Sequence, residues 1–234
     1  MWRGLLVGVL AAACGRTVVY DPPEAPPKMI EPVVPVVDAG MPKPCSTGPV
    51  ALLHAIPTLY FVVDRSGSMA FDLNGNQVPN LEGPSRWEIL TAVMTDVLPA
   101  HEQQLAMGLI FFPSDAQCGT TATPAISPRL GNAQALRTQF LSRRPGGGTP
   151  IAAGMVGVRG PAMAARAKSL VLITDGEPNC NADLDPATCV CTQAMTGNPP
   201  ACPTPDVCLD DTRTVTTLQT LTASGVVTHV VGFA

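Results

Sequence analysis

Residues 58–69 read Thr58-Leu59-Tyr60-Phe61-Val62-Val63-Asp64-Arg65-Ser66-Gly67-Ser68-Met69. The first six are a continuous run of β-branched and aromatic side chains with one leucine, the mark of a strand buried on both faces. The run passes directly into a polar turn, which puts Asp64, Ser66 and Ser68 at the carboxyl end of a buried strand. Downstream, Gly83-Pro84 opens a helical pattern in which Trp87, Leu90, Val93, Met94 and Val97 recur at three- and four-residue spacing. Pro84 suits the first turn of that helix and Pro99 its end. Leu105–Phe112 predicts a second strand, Ala125–Ser127 a short edge strand, Asn132–Ser142 a helix, and Pro150–Arg166 a further helix begun by proline. Ser169–Thr174 is the next buried strand, Asp210–Ala223 the next helix and Val226–Phe233 a last strand. Strands alternating with helices imply an α/β fold with an open, mainly parallel sheet, because parallel neighbours need crossovers and the crossovers place helices on both faces.

The turn after the first strand carries a carboxylate and two hydroxyls at alternate positions, Asp64, Ser66 and Ser68, with Gly67 free to let the backbone curl so that they converge. Open α/β sheets bind their ligands at this end of the strands. Hard oxygens at this spacing suit Mg²⁺ or Mn²⁺, which keep several waters and take one or two carboxylates. A second piece, Thr174-Asp175-Gly176-Glu177-Pro178, puts Asp175 at the matching end of another buried strand. A third, Gly146-Gly147-Gly148-Thr149-Pro150, delivers the Thr149 hydroxyl at the start of a helix. No Gly-Lys-Ser/Thr follows the glycines, which excludes a phosphate-binding P-loop. Arg65 and Glu177 read as exposed charges beside the site.

Together these residues resemble the von Willebrand factor type A (VWA) domain, whose metal-ion-dependent adhesion site joins an Asp-x-Ser-x-Ser motif to a distal Thr and a distal Asp. The resemblance covers Leu59 to Ala234. By matched position it implies metal ligands at Asp64, Ser66, Ser68, Thr149 and Asp175, with Mg²⁺ or Mn²⁺ as the ion. It also implies one coordination position left for an acidic group of a protein or glycan ligand. The implied fold is a Rossmann-like open sheet, mostly parallel with a short antiparallel edge strand, in which the first and fourth strands are neighbours. The competing reading is a magnesium-dependent hydrolase of the haloacid-dehalogenase type, which resembles Asp-x-Asp where this chain has Ser66 at the second position. There is no Gly-x-Ser-x-Gly elbow, and His54, His101 and His229 are tied to the turn by no motif. The expectation is therefore a binding protein and not an enzyme, with a structural surface lipoprotein lacking metal function as a third reading.

The rest of the chain bounds where this domain works. Among 234 residues, 46% are hydrophobic and 4% aromatic, so the core is aliphatic but large enough to exclude disorder throughout. A net charge of -4, with 14 scattered Lys and Arg, offers no basic face for a nucleic acid. Met1–Ala13 has Arg3, an apolar stretch and small residues before Cys14, which is a signal-peptide pattern far shorter than the roughly 20 residues of a membrane helix. Leu10-Ala-Ala-Ala-Cys14-Gly15 resembles the bacterial lipoprotein signal, with the Leu one place early, and implies lipidation of Cys14. The proline-rich stretch within residues 14–57 reads as an extended tether. The expected protein is exported and anchored by lipid at the bacterial cell envelope, with its folded domain at 58–234.

Export also predicts disulfides. Residues 176–209 form a long insertion with Cys180, Cys189, Cys191, Cys202 and Cys208, and loops of that length in compact domains are functional or stapled. The spacing lacks the paired Cys-x-x-Cys of zinc folds. Cys118 follows the second strand at the same end of the sheet, so it is expected to pair with this loop. Cys45, before the first strand, is the expected odd thiol. The VWA family continues past the last strand with another helix and strand, so the expectation is a domain incomplete at its C-terminal end.

Overall fold

The computed structural model describes residues 56–78, 83–192 and 202–233. The signal segment, Cys14, most of the tether, Cys45 and His54 lie outside these residues. The elements run β1 (Thr58–Asp64), α1 (Arg86–His101), β2 (Ala106–Phe112), β3 (Ile126–Arg129), α2 (Ala133–Leu141), α3 (Ile151–Ala164), β4 (Ser169–Thr174), α4 (Asp211–Ala223) and β5 (Val227–Gly232). The sheet order is β3-β2-β1-β4-β5. β1 lies parallel to both β2 and β4, β5 lies parallel to β4, and β3 is antiparallel to β2. The fold is thus the mostly parallel α/β sheet with one antiparallel edge that the alternation predicts, and the first and fourth strands are neighbours.

Burial on both faces of β1 has a direct cause in the two-residue period of a strand. Phe61 and Val63 enter one core with Trp87, Leu90, Met94 and Leu98 of α1 and with Leu136 and Phe140 of α2. Tyr60 and Val62 enter the opposite core with Met155 and Val158 of α3 and with Leu221 of α4. Trp87, Phe111 and Phe140 meet at ring separations of 5.5–6.0 Å and concentrate the chain's few aromatics in the first core. β1 is thereby clamped on both faces and both edges, and its C-terminal residue, Asp64, is held with it.

Three details of the helices differ from the sequence expectation. α1 begins after a capping box in which Ser85 Oγ accepts from Glu88 N–H and Glu88 Oε2 accepts from Ser85 N–H, so Pro84 precedes the cap and does not occupy the first turn. Pro99 lies inside α1, which runs on to His101. Pro99 has no N–H to give the Thr95 carbonyl one turn back, so the ladder loses that one bond, and Leu98 beside it is 2% exposed in the core. Val93 and Val97 point outward at 50% and 46% exposure, and the buried stripe is Trp87, Leu90, Met94 and Leu98.

Candidate metal centre

The parallel register that sets β1 beside β4 brings the ends of the two strands together. Asp64 is fully buried. Its Oδ1 accepts from Ser66 N–H at 2.7 Å, and its Oδ2 accepts from the Thr174 hydroxyl at 2.6 Å. Among the described residues the ion pairs are Arg86–Asp175 and Arg213–Asp210, so Asp64 has no cationic side chain against it. Burial pushes its pKa up to about 6; the bonds from Thr174 and Ser66 pull it down and the nearby charge of Asp175 adds to the rise.

From Asp64 the donors continue as a chain. The backbone turns through a short 3₁₀ segment, Gly67–Ala70. Ser66 Oγ and Ser68 Oγ share a hydrogen bond at 3.0 Å, and Ser68 Oγ donates to Asp175 Oδ1 at 2.9 Å. The other oxygen of Asp175 meets Arg86 at 2.7 Å. Thr149 is gripped through its backbone, its N–H donating to Asn179 Oδ1 at 2.7 Å and its carbonyl accepting from Asn179 N–H at 2.9 Å. A Cβ built on Gly176 would lie 3.7 Å from Ser68 Oγ and 3.9 Å from Thr149 Oγ1, so both hydroxyls face the same narrow space.

The glycine loop fits against the Asp64 turn by backbone hydrogen bonds, Gly67 N–H to Gly147 C=O at 2.9 Å and Gly146 N–H to Arg65 C=O at 2.7 Å. Gly147 has φ +89°, and a side chain there would run into the Gln117 carbonyl. Only glycine satisfies both conditions. Arg65 is not the exposed charge that its place in the motif implies. Its guanidinium donates to the carbonyls of Pro113, Asp115 and Arg144 at 2.6–2.9 Å and so ties three loops together. Glu177 is exposed at the rim. The result is a cleft of about 610 Å³ whose lining includes Ser66, Ser68, Thr149, Phe71, Glu177 and Asn179.

Of the five residues read from the motif, Ser66, Ser68 and Thr149 line the cleft at the carboxyl end of the sheet, while the side chains of Asp64 and Asp175 are wholly buried and tied to the Ser66–Ser68 turn by hydrogen bonds. Their oxygens, two carboxylates and three hydroxyls, are the hard donor set that Mg²⁺ or Mn²⁺ prefers. A buried carboxylate with no cation against it is a place where such an ion fits. Sequence reasoning did not find Thr174, Asn179 or Arg86. Thr174 was accessible in principle, because pairing Val63 with Ile173 sets residue 64 beside residue 174. Arg86 left one trace, a cation at the first position of a helix where the macrodipole disfavours it.

The insertion after β4 is stapled by three disulfides: Cys118–Cys180, Cys189–Cys208 and Cys191–Cys202. The expected link from Cys118 to the loop is present, and the cysteine sulfurs that zinc would need are bonded to one another. The Cys118–Cys180 bridge packs beside Gly148, where a Cβ would collide with Cys180 Sγ. Thr192, held by its N–H to the Val207 carbonyl at 2.9 Å, accepts from Asn179 Nδ2 at 3.1 Å. The cysteine-rich loop thus braces the residue that fixes Thr149. Disulfides on this scale belong to proteins that fold in an oxidising compartment.

Comparison with known proteins agrees with the architecture. Curated protein sequences yield no match. Among solved structures, the pilus adhesin SpaC from Lactobacillus rhamnosus GG superposes with a TM-score of 0.50 at 18% identity, covering 77% of this chain and 25% of that one. The PilB minor pilin from Streptococcus sanguinis gives 0.47 at 21% identity over 80% of this chain and 52% of that one. The VWF domain of the type V pili tip protein Mfa5 from Porphyromonas gingivalis gives 0.36 at 16% identity over 62% and 47%. The chain spans about half or less of each of these proteins, and at such identities the likeness is one of fold. A model of the von Willebrand factor type A domain matches residues 59–177. With just over half of its 234 residues matched, the chain belongs to the von Willebrand factor type A domain family.

Proposed function

We propose that the cleft is a metal-ion-dependent adhesion site that holds Mg²⁺ or Mn²⁺ through Asp64, Ser66, Ser68, Thr149 and Asp175. Through the ion it binds an acidic group of a protein or glycan. The observation that carries this reading is Asp64, a fully buried carboxylate with no cationic side chain against it, at the head of a chain of hydroxyls that ends on a second carboxylate. A bound dication would supply the missing charge and a point of attachment for an anionic ligand. Ser66 and Ser68 present their hydroxyls from the turn, Asn179 fixes the height of Thr149, and Phe71 walls the cleft. The described residues lining it include no histidine to serve as a base, and the proposed role is adhesion or scaffolding without turnover. The solved relatives named as pilus adhesin and pilus tip protein are consistent with such a role. We also propose that the protein is exported and tethered at the bacterial cell envelope through lipid on Cys14, with residues 14–57 as spacer.

The test is thermal unfolding of wild type and Asp64→Ala in Mg²⁺, Mn²⁺ and EDTA. Wild type is expected to gain stability with either ion, as any ligand specific to the native state confers, and Asp64→Ala to gain none. A wild type indifferent to both ions removes the metal assignment. Globomycin-sensitive processing and [³H]palmitate labelling, both lost in Cys14→Ala, check the anchor.

A further inference from the structure

Arg86 is the cation that the structure sets against Asp175, the second carboxylate of the centre. Its guanidinium donates to Asp175 Oδ2 at 2.7 Å while Ser68 holds Oδ1 at 2.9 Å, and the two side chains are 13% and 0% exposed. The placement does nothing for the helix. Arg86 is the first residue of α1, where unpaired N–H groups disfavour a positive charge, and its buried Nε has no hydrogen-bond partner, a further penalty.

We propose that Arg86 is a positioning residue that sets the charge of the metal centre, orienting Asp175 and cancelling its charge so that the loaded site attracts an anionic ligand. This rests on the metal reading above. The two buried aspartates contribute -2 and Arg86 +1, leaving -1, and a dication brings these groups to +1; Glu177 is exposed at the rim, where water screens its charge. Without Arg86 the same sum is -2 and then zero. A centre at +1 draws a carboxylate, whereas a neutral one has no net attraction for it. The loss of Arg86 would also give the ion an Asp175 whose charge is not cancelled and which only Ser68 still holds. The two effects have opposite signs: removing Arg86 strengthens binding of the ion and weakens binding of the anion to the loaded site.

The experiment measures both with one ion. Mn²⁺ affinity is read by calorimetry. Water-proton relaxation of the Mn²⁺-loaded protein, titrated with acetate as the carboxylate probe, reads displacement of coordinated water. Arg86→Met is expected to bind Mn²⁺ about tenfold more tightly and acetate about tenfold more weakly, the scale of one charge at a partly buried site, and Arg86→Lys to stay close to wild type on both. Arg86→Gln keeps a donor but no charge, and is expected to follow Arg86→Met. It also carries the test if Arg86→Met does not fold. Parallel losses of both affinities, no change in either, or Arg86→Gln behaving as wild type would each overturn the proposal while leaving the metal reading intact. A wild type that binds no Mn²⁺ overturns both.

Discussion

Asp64 holds its charge in a place where water would otherwise have to supply the solvation, and the consequence is a defined pH response. Its folded pKa of about 6 stands above the ordinary 3.8, so between those values the folded protein binds more protons than the unfolded chain. Stability from this group is therefore greatest below about pH 4 and falls as pH rises to about 6, by roughly 3 kcal/mol for a shift of this size. Metal-free protein should show this decline relative to Asp64→Asn when Tm is followed across the window. The stabilisation conferred by Mg²⁺ should grow over the same interval, as the ion meets a carboxylate instead of a carboxylic acid. Thr149 offers a second check. Thr149→Ser keeps the hydroxyl and should hold Mn²⁺ within about threefold of wild type, whereas Thr149→Ala should lose about tenfold, one neutral ligand's share on the 1.4 kcal/mol scale. Asp64, Ser66, Ser68, Thr149 and Asp175 could be found in the sequence because each stands in a recognisable local pattern. Thr174 is reachable only through the register that pairs β1 with β4, and Asn179 not at all, since its role comes from a fold-back of the insertion that leaves no motif.

At the scale of the element, α1 shows how far a hydrophobic period can be trusted. The three- and four-residue spacing identifies the helix, and the structure keeps Trp87, Leu90 and Met94 inside. It gives no means of choosing between Val97 and Leu98 for the last inward position. Tertiary packing makes that choice, burying Leu98 and leaving Val97 at 46% exposure. Leu98→Ala should thus cost about 2–5 kcal/mol by leaving a cavity, while Val97→Ala should change stability by no more than about 0.5 kcal/mol. Equal losses in urea unfolding would place the stripe differently. The capping box has consequences beyond the helix, because Ser85 precedes the residue that reaches Asp175. Ser85→Ala should lower stability by about 1 kcal/mol. The strand ends were the easier part: β4 occupies Ser169–Thr174 as read, since a buried strand bounded by polar residues has little freedom to slide.

For the whole molecule, cysteine chemistry and site geometry are joined at one end of the sheet. Cys118–Cys180 closes a separation of 62 residues and lies directly behind the loop that presents Thr149. Removing it as Cys118→Ala/Cys180→Ala should destabilise the domain by about 2–4 kcal/mol and also weaken Mn²⁺ binding. Cys191→Ala/Cys202→Ala should leave Mn²⁺ affinity within about twofold, because Cys189–Cys208 still closes the ladder that carries Thr192. Equal affinities in the two double variants would separate the disulfides from the site. The clustered cysteines and the alternation of elements made the compartment and the architecture legible; the pairing within the insertion was not, because connectivity is fixed only when the loop folds back on itself. One mechanical property follows from the direction of β1. The chain enters this strand at Thr58 and reaches the cleft at Asp64, at the opposite end of the sheet, with β2 and β4 hydrogen-bonded along either side. Tension between a held N-terminal side and a ligand gripped at the cleft would run lengthwise along β1. The covalent backbone of β1 would carry the share held through Asp64, Ser66 and Ser68, and the share passed to Asp175 would cross to β4 through hydrogen bonds loaded together in shear rather than peeled apart one by one.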